Sequence, residues 1–207
     1  PVGKGLVQIW NNATWEGRPA RRILAQGETT GLISLFYRVN DTMESFCDPQ
    51  SSQTYFFRVN FEEGKYRRKQ EFRFDQDAGR IVGAHGSQLK MTPPAYDPLA
   101  AIWYIRGADL AEGMVLGGNI SDGRQVYRME AVVAKKEMKN VLGRKILCWV
   151  VEPRMDPVKF DGILNNEKFK KLTAWMTADA QRIIVMAKGD LFFGSLAAKL
   201  QKREVKS

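Results

Sequence analysis

The chain has 207 residues, enough for one good hydrophobic core or two small ones. Its formal net charge of +9 at pH 7 favours an anionic partner, such as nucleic acid, anionic lipid or an acidic polysaccharide; the alternative is plain solubility. Two cysteines and a single histidine are too few for a zinc site of the usual spacing. No apolar run approaches the length of a membrane-spanning helix.

The first half of the chain predicts strands, from a short apolar run at residues 5–10 and from clean alternation at residues 55–61 and 66–74. They lie, in chain order, at residues 5–10, 18–26, 55–61, 66–74 and 80–84. Residues 62–65 and 75–79 carry turn signals, so the last three strands are expected to form an antiparallel meander. Residues 32–39 are also strand-like, but periodicity alone does not exclude a helix there.

Residues 97–107, DPLAAIWYIRG, predict a short helix. Asp97 can accept hydrogen bonds from the free backbone N–H groups at the start of the helix. Pro98 fits the first helical position, where its missing N–H costs nothing, and Gly107 suits the C-terminal end. A helix at about 98–106 is therefore expected to cover or plug a sheet.

The apolar side of this helix is expected to belong to the core. Leu99, Ile102 and Trp103 fall on one face at helical spacing. We expect Trp103→Ala to be among the most destabilising single substitutions if the ring is fully buried, costing about 3–5 kcal/mol. An aromatic ligand box formed by Trp103 and Tyr104 is the less favoured alternative.

The second half of the chain again predicts strands. They lie at residues 126–136, 145–151, 172–176, 182–187 and 191–200. So many locally connected strands favour a mostly β fold: a strongly curved antiparallel sheet or barrel with one short helix. No linker, repeat or low-complexity segment interrupts the chain, so residues 1–207 are expected to form a single β-rich domain.

Two interpretations of the cysteines remain open at this point. If the protein is exported, Cys47 and Cys148 can form one disulfide. The alternative is a pair of free thiols, with Cys148 buried in its apolar strand.

The candidate binding site is a basic strand face. Arg67, Lys69 and Arg73 project from the same side of one predicted strand, with Lys65 at the turn and Arg58 on a neighbouring strand. A second basic cluster that can extend this face is Arg18, Arg21 and Arg22. Such a face can bind phosphates or carboxylates. The alternative is a solvated sheet face, which is the commoner role of charge runs.

Four motifs occur in the order found in one known family. Residues 97–106 match the family core D-P-L-(S/A)-A-(L/I)-x-Y-(L/I)-R throughout. Residues 35–48 resemble its L-Y-x-V-x-D-x-x-x-S-x-x-D element, and residues 72–75 (FRFD) its v-x-F-D strand end. Residues 175–185 resemble its W-x-T-x-D-x-x-R-x-P-V hairpin, with Ile184 where proline is common. Over nearly its whole length, the chain resembles a family of exported bacterial proteins of unknown function.

The resemblance implies a β-rich fold like that of the YmcC lipoprotein of capsule operons. It also implies a periplasmic or outer-membrane-attached protein, exported by a signal peptide that this chain lacks. Family members have a strand or two before the position of residues 1–5, so the first strands are expected to be missing here. The resemblance favours a helical or mixed structure for residues 32–39. It supplies no catalytic residues.

We expect a non-enzymatic cell-envelope protein that binds or carries an anionic lipid or glycan and needs no metal or cofactor. The alternative is an enzyme that acts on envelope glycans through scattered carboxylates, whose partners need not be close in sequence. Nucleic acid is not expected as a partner. The aromatic residues Tyr66, Phe72 and Phe74 are placed on the face opposite the basic residues, so they offer no stacking platform between them.

Overall fold

The computed structural model describes residues 3–31, 34, 37–155, 171–191 and 194–205. The chain divides into two compact units. The first comprises Pro1–Tyr104 and Gly118–Val126, and the second Ile105–Gly117 and Tyr127–Ser207. The single domain expected for residues 1–207 stays a prediction.

A seven-stranded sheet forms most of the first unit. Its strands are β1 (Gly3–Trp15), β2 (Arg18–Thr29), β3 (Asn40–Cys47), β4 (Thr54–Glu63), β5 (Tyr66–Asp75), β6 (Arg80–Gly83) and β7 (Gln88–Lys90). They follow one another in chain order across the sheet, each antiparallel to the next. The predicted meander, now β4 to β6, is confirmed. Strand β3 was not predicted, and four of the eight residues 32–39 lie outside the described residues.

The two sides of this sheet differ in chemistry. Ser45, Phe57 and Phe72 are neighbours across β3, β4 and β5, and all three are buried; we call their side the core face. Glu44 and Arg58, one residue along, point to the opposite side, which we call the outer face. The alternation predicted for residues 55–61 and 66–74 is therefore confirmed.

The helix α1 (Pro98–Gly107) confirms the predicted element. One carboxylate oxygen of Asp97, Oδ1, accepts the backbone N–H groups of Leu99 at 2.8 Å and Ala100 at 3.1 Å. These are free donors of the first helical turn, so Asp97 acts as the predicted N-cap.

The same carboxylate joins the helix to the sheet. Its second oxygen, Oδ2, accepts hydrogen bonds from the hydroxyl groups of Ser45, at 2.6 Å, and Thr54, at 2.7 Å. The Thr54 hydroxyl oxygen in turn accepts a hydrogen bond from the backbone N–H of Asp97, at 2.7 Å. Asp97 is 0% exposed. Burial raises the pKa of its carboxyl group, and the hydrogen bonds from Ser45, Thr54 and the helix N–H groups oppose that effect.

The helix packs through some of the predicted side chains. Leu99 is buried as expected, whereas Ile102 and Trp103 are half-buried, so full burial is confirmed for Leu99 alone of these three. The Trp103 ring lies 5.8 Å from the guanidinium carbon of Arg21, at a position that keeps access to solvent. The buried helix positions are Leu99, Ala100, Ala101 and Ile105. Small alanine side chains here allow close approach of the backbone.

The second sheet contains seven strands, of which five form an antiparallel series in chain order. They are β10 (Val126–Val141), β11 (Arg144–Met155), β12 (Lys171–Thr177), β13 (Ile184–Leu191) and β14 (Gly194–Lys199), each antiparallel to the next. The strands predicted in this half are thus confirmed. Their core cluster consists of Val141, Cys148, Val150, Trp175 and Val185. Two shorter strands, β8 (Ala95–Tyr96) and β9 (Val115–Ser121), pair in parallel.

Both cysteines are buried free thiols, so the second interpretation of the pair applies. Burial raises the pKa of the Cys47 thiol to about 12, and burial also raises that of Cys148. Among the helices of the described ranges, none has the length and apolarity required to cross a bilayer.

Candidate functional site

The structure places the three predicted site residues on the outer face of the first sheet. Arg67, Lys69 and Arg73 alternate along β5 and are all exposed. Six residues of extended strand separate the first from the last, a distance of about 20 Å. The three cations therefore share a face without forming one compact cluster.

Two of these cations have partners of their own. Arg67 donates a hydrogen bond to the backbone carbonyl of Gly64, at 2.8 Å, in the turn before β5. Arg73 pairs with the carboxylate of Glu16 and lies over the ring of Trp15, 5.5 Å from its centroid. Both guanidinium groups are thus already engaged by their own protein.

Lys69 occupies a different environment. Cross-strand pairing places it beside Asn60 and, one strand further, Thr42. It borders a groove of about 290 Å³ on the outer face, lined by Arg22, Leu24, Thr42, Glu44, Arg58, Asn60 and Lys69. Its ammonium group has no hydrogen-bond or ion-pair partner within the described part of the chain, so it is available to a ligand.

A buried carboxylate organises the floor of the groove. The Glu44 side chain is 3% exposed, and its Oε1 lies 2.7 Å from Nε of Arg22, which donates a hydrogen bond to it, and 2.6 Å from Nη2 of Arg22. Arg58 pairs with the other carboxylate oxygen of Glu44 and lies 3.5 Å from Glu71. Carboxylate contacts of this kind fix the planes of the guanidinium groups, which would otherwise move freely.

The groove retains positive charge after these pairs are counted. Its lining carries three cations, Arg22, Arg58 and Lys69, and one anion, Glu44, which leaves a formal charge of +2. Glu71, paired with Arg58 at the edge, lowers this to +1. Each arginine keeps N–H groups that do not face Glu44. The groove can therefore accept one phosphate or carboxylate group, with Lys69 as its uncommitted donor.

Aromatic rings lie next to the groove on the same face. The guanidinium of Arg22 lies 4.5 Å from the centroid of the exposed Trp10 ring and 5.9 Å from that of Phe46. Trp15 stacks on Phe56 with the centroids 4.3 Å apart, which explains why Phe56 is buried although it points to the outer face. The groove thus borders an apolar platform as well as cations.

The sequence indicated part of this site. Arg58 was expected to adjoin Lys69, and Arg22 belonged to the cluster expected to extend the basic face. Glu44 was missed, because β3 was not recognised as a strand. The available signal was the alternation of residues 42–47, which places Glu44 opposite Arg58 once β3 pairs with β4.

A separate acidic group lies near the start of β3. Burial raises the pKa of Asp41 to about 6, and the nearby carboxylates of Glu63 and Glu62 add to the effect. The backbone N–H of Glu62 donates to Asp41 at 3.0 Å and lowers the pKa. The hydroxyl group of Tyr37 lies 3.5 Å from Glu63. A carboxyl group with a pKa of about 6 is protonated to a substantial extent in mildly acidic solution, where it can act as a general acid.

The fold defines the class of protein. It is similar to the crystal structure of a β-barrel-like protein of the DUF1849 domain of unknown function from Brucella abortus, with a TM-score of 0.65 and 13% sequence identity. The match covers 99% of this chain and 88% of the other. It is also similar to a DUF1089 family protein from Pseudomonas aeruginosa, with a TM-score of 0.51, 11% identity, and 89% and 88% coverage. The predicted class, a mostly β, barrel-like antiparallel fold, is confirmed.

Residues 1–201 match the family described as protein of unknown function DUF3108, and the chain belongs to that family. This confirms the expected membership of an uncharacterised bacterial family with a β fold. No curated protein matches the chain.

Proposed function

We propose that this protein binds an anionic component of the cell envelope, a lipid or glycan that carries a phosphate or carboxylate group, and does not convert it chemically. The observation that carries the proposal is the uncommitted ammonium group of Lys69 beside two arginines held in place by Glu44. A periplasmic or outer-membrane-attached location belongs to the same proposal and rests on the sequence resemblance.

The proposal assigns unequal weights to the three predicted residues. Lys69 is the contributor to binding, because its donor is unpaired among the described residues. Arg67 and Arg73 contribute less, because a ligand must first compete with Gly64 and Glu16 for their donors.

Binding of matched amphiphiles tests the site. Dodecyl phosphate and dodecyl glucoside, each below its critical micelle concentration, differ in head-group charge but share one chain. We expect the phosphate to bind more tightly, and Lys69→Gln to reduce that preference about tenfold, as expected for loss of a hydrogen bond between charged groups.

Lys65→Gln is the matched control, because it removes the same charge from an exposed position in the adjoining turn. It should leave affinity nearly unchanged, as should Arg67→Gln. Inorganic phosphate, titrated separately, shows whether the head group suffices without the chain. Equal affinity for the two amphiphiles, or an equal loss in Lys65→Gln and Lys69→Gln, would refute this site.

The Asp41 group favours a second candidate function, an enzyme that acts on envelope glycans. Its raised pKa gives the protein a carboxyl group suited to protonating a leaving group. Release of reducing ends from purified envelope polysaccharide by the wild-type protein, lost in Asp41→Asn, would support this candidate. Absence of any release by the wild-type protein would remove it.

A further inference from the structure

The tip of the β10–β11 hairpin, in the second unit, exposes three apolar side chains. Met138 and Leu147 are cross-strand partners, so they project from the same face, and they are 54% and 43% exposed. Leu142, in the two-residue turn between the strands, is 57% exposed. Single exposed apolar residues are common, but three lie within residues 138–147 of one hairpin; we call these three the apolar patch.

Cations lie along the same hairpin, with Lys136 and Lys145 on the face of this patch and Lys135 and Lys139 on the other face. Residues 135–145 contain five, namely Lys135, Lys136, Lys139, Arg144 and Lys145. The only acid in this segment is Glu137, so its formal charge is 5 − 1 = +4. Glu137 is already engaged by Lys139 at 2.6 Å, by Lys135 at 3.2 Å and by the indole N–H of Trp175 at 2.6 Å.

Lys136 belongs to the apolar face itself. It pairs with Trp149 across the hairpin, in the same alternation as Met138 and Leu147. Its ammonium nitrogen lies 4.1 Å from the centroid of the Trp149 ring, so the stem of the side chain covers an apolar surface while the charge stays exposed. The face therefore presents apolar groups and cations side by side.

The turn residue itself is costly to the fold. Leu142 and Gly143 both have positive φ, at 51° and 78°, the conformation of a tight two-residue hairpin turn. Glycine and asparagine adopt this conformation readily, whereas a bulky leucine is strained there. An exposed leucine at this position neither packs in the core nor suits the turn, which points to a role outside the fold.

We propose that this hairpin tip docks on the surface of an anionic lipid bilayer, with Leu142, Met138 and Leu147 inserted among the head groups and the neighbouring cations paired with lipid phosphates. Apolar side chains with lysine and arginine beside them match the interfacial region, where both contributions act together. A second copy of this chain is disfavoured as the occupant because two tips of charge +4 repel each other. The patch belongs to the second unit, and none of its residues lines the Lys69 groove.

Vesicle sedimentation tests the electrostatic part. Wild-type protein should bind vesicles containing phosphatidylglycerol and should bind phosphatidylcholine vesicles far more weakly. The triple variant Lys136→Gln, Arg144→Gln, Lys145→Gln should bind the anionic vesicles about a hundredfold more weakly, since each near-surface cation contributes about fivefold. The control variant carries the same charge loss at three exposed positions elsewhere in the unit: Arg128→Gln, Arg154→Gln and Lys199→Gln. It should bind like the wild type.

Leu142→Asn separates a membrane role from a structural one. Asparagine suits the turn better than leucine, so the melting temperature should stay the same or rise. Loss of the inserted side chain should weaken vesicle binding at least about threefold. A structural role for Leu142 predicts the reverse: a lower melting temperature with vesicle binding unchanged.

Three results would overturn the proposal. The first is absence of wild-type binding to anionic vesicles. The second is equal loss of binding in the tip variant and its charge-matched control, which would indicate a response to net charge alone. The third is concentration-dependent dimerisation of the wild type that Leu142→Asn abolishes, which would assign the patch to a second copy.

Discussion

Asp97→Ala removes the carboxylate that joins helix α1 to the first sheet. In the wild type this group accepts two backbone N–H groups of the helix and two sheet hydroxyl groups, from Ser45 and Thr54. Alanine supplies none of these acceptors, and the site is too deeply buried for solvent to replace them. The substitution therefore tests how firmly one buried group holds the helix.

The expected cost follows from these contacts. Loss of an N-cap costs about 1 kcal/mol. Each hydroxyl group left without its acceptor in a buried site adds about 1–3 kcal/mol, and the relief of a buried charge offsets part of the total. We expect Asp97→Ala to lower the free energy of unfolding by about 3–5 kcal/mol. Asp97→Asn keeps an oxygen for the helix N–H groups and should cost about 1–2 kcal/mol.

Urea unfolding followed by circular dichroism measures the free energy of unfolding of both variants, and thermal unfolding gives their melting temperatures. For a chain of this size, the alanine variant should melt roughly 10 °C below the wild type. Asp77→Ala is the control, because it removes an exposed aspartate from the turn after β5. A loss below about 1 kcal/mol for Asp97→Ala, or equal losses in the alanine and asparagine variants, would refute the assigned role of the carboxylate.

Three further predictions concern other parts of the molecule. Trp103→Ala should lower the free energy of unfolding in urea by about 1–3 kcal/mol, less than the loss for a fully buried tryptophan, because the Trp103 ring is half-buried. A loss of about 4 kcal/mol or more, the value for full burial, would contradict this. Cys47, whose pKa burial raises to about 12, should resist a thiol reagent in native protein and react in denaturant together with Cys148; rapid native labelling would contradict it. The pKa of Asp41 rises from 3.8 to about 6 on folding, so the folded state binds the Asp41 proton more tightly than the unfolded state does. Protonation of Asp41 therefore adds to the free energy of unfolding; this addition is complete below about pH 4 and is lost as the pH rises through about 6. Allowing for solvent screening this amounts to about 1–2 kcal/mol. Asp41→Asn should flatten that part of the pH–stability curve.

Local rules were sufficient for the elements with strong local signals. The Asp97-Pro98 pair predicted the start of the helix, because N-cap chemistry depends only on adjacent residues. The alternation in β4 and β5 predicted which side chains face the core. The position of Trp103 was not predictable in the same way, because helical spacing defines a face but does not say how far the neighbouring sheet covers it.

The candidate site depended on long-range pairing. Glu44 meets Arg22 and Arg58, which are separated from it by 22 and 14 residues, only because β2, β3 and β4 adopt one particular register. A shift of one residue in β3 would move Glu44 to the core face. Sequence reasoning found the basic character of the face but not the carboxylate that organises it, nor the separate partners of Arg67 and Arg73.

The most direct test of the anion-binding proposal is an NMR titration of backbone amides with dodecyl phosphate. The proposal predicts that the largest chemical-shift changes map to the groove on β2 to β5, around Arg22, Glu44, Arg58 and Lys69, and that they fade in Lys69→Gln but persist in Lys65→Gln. Changes confined to other surfaces, or an unaltered response in Lys69→Gln, would contradict it.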